Sequence, residues 1–161
     1  MIKKLLATSA VAMCATSAFA APVDFSISVS ANVPTSDFYV TSTPDWNAGE
    51  VQQIPWNETD LKLDPLRRNV SMKSTIGKIT AHLLNPATVA QGTDSIPLVI
   101  KVNDKTLTND ASTAETILTA AEASPGKTVS IVVTDGRTAP ITRPTAGTYA
   151  GTINMIFETA P

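Results

Sequence analysis

From Val23 to Val33 the chain alternates without a break. Val23, Phe25, Ile27, Val29, Ala31 and Val33 are apolar, while Asp24, Ser26, Ser28, Ser30 and Asn32 between them are polar. Successive side chains of a strand point to opposite faces, so period two predicts a strand with one clean apolar edge, ended by Pro34. A second alternation closes the chain. Thr148–Thr159 (TYAGTINMIFET) predicts a strand with Tyr149, Gly151, Ile153, Met155 and Phe157 on one face. Between these two, shorter runs predict strands near Asp37–Ser42, Asp60–Asp64, Asn69–Ser74, Lys78–Leu84, Ile96–Val102, Lys105–Leu107 and Lys127–Thr134. Asn85-Pro86, Asn103-Asp104, Pro125-Gly126 and Asp135-Gly136 supply breaks and turns. Only Ala111–Ser124 has helix-favouring composition, which predicts one or two helical turns on a connection. Many short strands punctuated by turns indicate an all-β, immunoglobulin-like sandwich, with the strand order left open.

Composition agrees. The first 20 of the 161 residues read as a removable leader: Lys3-Lys4, a short apolar run from Leu5 to Ala15, then Ala18-Phe19-Ala20 with small residues where a signal peptidase reads. The run is too short to cross a bilayer. Cleavage after Ala20 leaves 141 residues, enough for one domain. Of these, 44 are Val, Ile or Thr, the β-branched residues that suit a pleated surface. Ten basic and 14 acidic side chains give the mature chain a net charge of −4, which argues against a nucleic-acid partner. Cys14 is the only cysteine and leaves with the leader. The exported domain therefore has no disulfide, no thiolate metal site and no cysteine nucleophile.

Chemistry-bearing patterns are scarce. His82 is the only histidine and lies in a predicted strand, and no serine sits in a glycine-flanked elbow. No calcium loop or glycine-rich phosphate loop is present. Asn57-Glu-Thr59 and Asn69-Val-Ser71 match glycosylation acceptors only formally, and Arg67-Arg68 reads as a solvated pair. No catalytic residue, metal site or cofactor site is expected.

The alternating Val23–Val33 segment, with its Ala-x-Val ending, and the stretch Pro144-Thr-Ala-Gly-Thr-Tyr-Ala-Gly151 before the last strand together resemble the major pilins of the alternate chaperone–usher family. These are the α-fimbrial, class 5 pilins of colonisation-factor pili. Leu61–Pro65, Leu84-Asn85-Pro86 and Ile96-Pro97 match more loosely, and the loops at 35–60 and 108–147 depart from the family. The resemblance implies a signal peptide over 1–20, an N-terminal donor strand over 21–34 and a pilin domain over 35–161. It implies an incomplete immunoglobulin-like sandwich that lacks its final strand. Val23, Phe25, Ile27, Val29, Ala31 and Val33 would fill the groove of a neighbouring subunit. Tyr149, Gly151, Ile153, Met155 and Phe157 would line one wall of it, where a chaperone strand binds first. The incoming strand would run antiparallel to the last strand of the fibre subunit, which is β-augmentation. The implied partners are further copies of the chain in a head-to-tail polymer, a periplasmic chaperone, an outer-membrane usher and a tip adhesin. The implied destination is a fimbria on the cell surface, supporting adhesion to host surfaces.

Two other functions compete. One is an exported sandwich that binds carbohydrate, with Trp46 and Trp56 as stacking platforms. The other, a periplasmic enzyme, has almost no support in the residues.

Overall fold

The computed structural model describes residues 37–161. The leader over 1–20 and the 21–34 segment, with Val23, Phe25, Ile27, Val29, Ala31 and Val33, lie outside the described residues.

Apolar residues at alternate positions build the longer strands, Leu66–Ser74, Lys78–Leu83, Asp94–Val102 and Lys127–Asp135. The strands are β1 (Phe38–Ser42), β2 (Trp56–Asn57), β3 (Lys62–Leu63), β4 (Leu66–Ser74), β5 (Lys78–Leu83) and β6 (Thr88–Gln91). They continue with β7 (Asp94–Val102), β8 (Lys105–Thr106) and β9 (Glu115–Leu118), the single-turn helix α1 (Ala120–Ala123), β10 (Lys127–Asp135) and β11 (Met155–Ala160). One sheet runs β1-β4-β10-β7-β6, with β8 on β7; the second runs β11-β5-β9; β2 and β3 form a small hairpin. Every pairing is antiparallel.

The two sheets bury one core between them. Val70, Met72, Ile100, Val129 and Ile131 enter from the larger sheet, and Ile79, Ala81, Leu83 and Leu118 from the smaller. The chain is an all-β, immunoglobulin-like domain. Met72, Ile79, Ile100 and Leu118 are fully excluded from solvent. Burying each such side chain contributes about 1.5–3 kcal/mol.

At the corner where β4 turns into β5, the buried Ser74 hydroxyl accepts from the Gly77 N–H at 3.2 Å and bonds the Thr159 hydroxyl at 2.5 Å. A Cβ on Gly77 would stand 2.0 Å from the Ala160 carbonyl oxygen. The end of β11 is therefore held against this corner by backbone contact.

Three local expectations need correction, and one strand was missed. Ala111–Ser124 is not helical turns alone: a 3-10 turn at Ala111–Thr113 and α1 flank the strand β9, recruited by pairing with β5. Residues 88–91, unassigned in the sequence, form β6 against β7. Asp135-Gly136 is not a turn, since Asp135 ends β10 and the Gly136 N–H donates to the Pro97 carbonyl at 2.8 Å. The last strand spans Met155–Ala160 rather than Thr148–Thr159, because the chain ahead of it runs beside the other sheet.

Candidate functional site: an open strand edge above an apolar flank

β11 faces the core with alternate residues. Met155, Phe157 and Thr159 lie opposite Leu83, Ala81 and Ile79 of β5, all three buried. Met155 and Phe157 pack on the core yet stay only half-buried. On the edge strand of the other sheet, Phe38 and Val40 behave in the same way.

Hydrogen bonding separates the two sides of β11. The Leu84 N–H donates to the Asn154 carbonyl at 2.9 Å, so Asn154 turns its backbone toward β5. In an antiparallel pair, bonded and non-bonded positions alternate. Ile156, Glu158 and Ala160 therefore also face β5. Met155, Phe157 and Thr159 direct their N–H and C=O groups to the opposite edge, where no strand pairs among the described residues.

The preceding residues extend this arrangement. Ala150 and Ala90 of β6 exchange two bonds, of 2.9 and 3.1 Å. Ala150 is thus held by β6 and Asn154 by β5, with Gly151 and Ile153 on the stretch between them. Gly151 marks the crossing from one sheet to the other. A Cβ there would lie 2.2 Å from the Thr88 carbonyl oxygen, so only glycine lets the two backbones approach this closely. Beside it opens a cleft of about 390 Å³ whose lining includes Val51, Ile54, Leu66, Val89, Leu98 and Ile153.

Of the five residues expected on the groove wall, Ile153, Met155 and Phe157 form one apolar flank, and Gly151 stands at its head. Tyr149 belongs elsewhere. Its hydroxyl donates to the Thr145 carbonyl at 3.0 Å, and it lines a separate cleft with Trp56 and Arg143. Sequence reading missed Ile54, Leu66 and Val89 as lining of the cleft beside Ile153. Nothing local marks Ile54.

The other conspicuous residues are engaged internally. Trp46 packs on the core and its indole N–H donates to the Asn69 carbonyl at 2.6 Å, so it is no exposed platform. Trp56 donates to Glu58 at 2.6 Å and carries the Arg137 guanidinium 5.5 Å from its ring centroid. His82 is 8% exposed.

Arg137 also closes a polar clamp at the end of β10. It pairs with Asp135 at 2.6 Å, and the Asp135 side chain is 1% exposed. The guanidinium donates to the Leu61 and Thr142 carbonyls at 2.6 and 3.1 Å. The Arg137 and Leu63 N–H groups donate to the same carboxylate at 2.9 and 3.1 Å. Burial pushes the Asp135 carboxyl upward, but these hydrogen bonds and the Arg137 charge outweigh it, and it titrates below the ordinary carboxylate value.

Among the described residues no cluster of three or more His, Cys, Asp or Glu could hold a metal ion. None of their helices is long and apolar enough to cross a membrane.

Comparison with known proteins places these features in context. A family model described as CS1 type fimbrial major subunit matches residues 23–158. Among solved structures, the CooA pilin subunit from enterotoxigenic Escherichia coli is similar in fold. It is 14% identical, the match covers 75% of this chain and 87% of that one, and the TM-score is 0.58. No curated protein matches the chain.

Proposed function

Because the chain belongs to the family of CS1 type fimbrial major subunits, we propose that the unpaired edge of β11 is the acceptor of its polymer and that residues 21–34 are the donor. The chain is a structural major subunit of a fimbria, and subunits of this kind polymerise with one another into a surface fibre. The reading concerns how they join. Residues 23–33 of one copy lie along β11 of the next, with Val23, Phe25, Ile27, Val29, Ala31 and Val33 turned toward Ile153, Met155 and Phe157.

The observation that carries it is the one-sided pairing of β11. Backbone groups left free above half-buried apolar side chains are the template that β-augmentation uses. The family match supports it too, since it begins at Val23, the first residue of the alternating segment. A donor on one end of the molecule and an acceptor elsewhere make a contact that does not close on itself, and such contacts build filaments.

A bare edge of this kind aggregates, so the subunit needs a temporary strand during export through the periplasm. A periplasmic chaperone supplies that strand, an outer-membrane usher exchanges it for the next subunit, and an adhesin at the tip makes the contact with a host surface. The subunit itself is architectural and performs no catalysis.

Deleting residues 21–33 tests the joint. The truncated subunit, produced with its chaperone, is expected to be recovered as a soluble complex and to form no fibres by electron microscopy. Fibres assembled from the deletion would remove the donor role.

A further inference from the structure

We infer a register for this joint, resting on the donor-strand reading above: Ala31 of one subunit lies opposite Gly151 of the next. Val29 then lies opposite Ile153, Ile27 opposite Met155, Phe25 opposite Phe157 and Val23 opposite Thr159.

Parity removes half of the alternatives. Met155, Phe157 and Thr159 form the series whose backbone groups turn to the open edge, and Gly151 and Ile153 share their parity along the chain. The inward face of Met155, Phe157 and Thr159 follows from their buried partners on β5. An antiparallel strand that bonds to these positions sets its own bonded residues directly opposite them. Its apolar set must also face the core, and a slip of one residue would turn that whole set to solvent. Odd-numbered donor residues therefore meet odd-numbered acceptor residues.

Steric space selects among the registers that remain. At Gly151 the Thr88 carbonyl already occupies the place of a side chain, so the crossing is crowded. Ala31 is the smallest apolar residue of the donor segment. Two positions along, Ile153 packs half-buried on the core, and Val29 covers it. Sliding the donor two residues toward the end of β11 sets the larger Val33 at the crowded crossing. It also carries Val23 opposite Pro161, beyond the end of β11 at Ala160. Sliding it the other way sets Val29 at the crossing and brings only Ala21 opposite Thr159. In the inferred register the five donor residues from Val23 to Ala31 all find seats, and Phe25 meets Phe157 as a cross-strand aromatic pair.

Disulfide trapping in intact fibres reads the register directly. The only native cysteine is Cys14. Directly opposed bonded residues have Cα atoms about 5.5 Å apart, within disulfide reach. A two-residue offset adds about 6.6 Å along the strand and takes them out of it. Ile27→Cys with Met155→Cys is expected to give a covalent, reductant-sensitive ladder on denaturing gels. Ile27→Cys with Ile153→Cys, or with Phe157→Cys, should give at least tenfold less. Val29→Cys with Ile153→Cys reports the same register at a second pair, should the Met155 variant fold poorly. A ladder from one of the offset pairs instead would overturn the register and leave the donor-strand joint standing. Fibres that form but cross-link at none of these pairs would overturn both.

Discussion

Two neighbouring stretches of the chain treat their polar backbone in opposite ways. Around Asp135 and Arg137 the carboxylate, the guanidinium and the carbonyls of Leu61 and Thr142 are joined within one molecule. Along β11 one side of the strand is left unjoined among the described residues, above apolar side chains that are only half-buried. Position in the sheets accounts for the contrast. Asp135 ends a central strand, where a buried charge costs several kcal/mol unless it is paired. β11 ends a sheet, where unpaired groups can still reach water. A subunit that must be rigid alone and still incomplete needs both kinds of region.

The contrast breaks most severely if charge enters the joint. Ile27→Asp sets a carboxylate against the apolar flank, at a cost of several kcal/mol, and is expected to abolish fibres. Ser28→Asp points the other way and should leave fibre yield near wild type. Equal yields from the two, counted by electron microscopy, would show that the facing of the donor strand is wrong.

A smaller effect should follow at the clamp. Asp135→Asn leaves the largely buried Arg137 without its counter-charge and is expected to cost about 3 kcal/mol. The chaperone-bound subunit should melt several degrees lower and still polymerise. Loss of fibres without loss of stability would place the clamp inside the joint rather than outside it.

The mildest separation comes from acid. The Asp135 carboxyl is lowered in the folded chain, so its stabilisation is fully present above the ordinary carboxylate value of about 3.9. It drains away as pH falls through the lowered folded value. Between pH 7 and 5 this group should therefore leave the melting temperature unchanged. Below about pH 4 the wild type should lose stability more steeply than Asp135→Asn, since that variant has no such carboxylate to protonate. Parallel melting curves against pH would contradict this.

Short apolar or β-branched runs between turn signals were enough to locate β1, β4, β5, β7 and β10 from the sequence. The face shared by Ile153, Met155 and Phe157 was legible from period-two alternation. What escaped depends on neighbours. Glu115–Leu118 sits among alanines whose local preference is helical, and pairing with β5 overrides it. Thr148–Asn154 looks like the start of one long strand, yet Ala150 bonds to β6 in the other sheet. Nothing within Thr-Tyr-Ala-Gly says which sheet the chain is beside. The clamp was read as a turn because Asp-Gly is a common turn pair. Its real determinant, Arg137, reaches back to Leu61, 76 residues away in sequence.

The sheet crossing at Gly151 also bears on how the fibre carries force. A surface filament in flowing liquid is pulled along its length. In the proposed joint the pull enters through the strand of one subunit and leaves through β11 of the next. In an antiparallel pair the bonds lie across the strand axis, so whatever part of the tension runs along that axis loads them together in shear. The stretch that ends in β11 is itself tied at two points, to β6 at Ala150 and to the β4–β5 corner at Thr159. Tension arriving on this strand is therefore shared between both sheets of the domain.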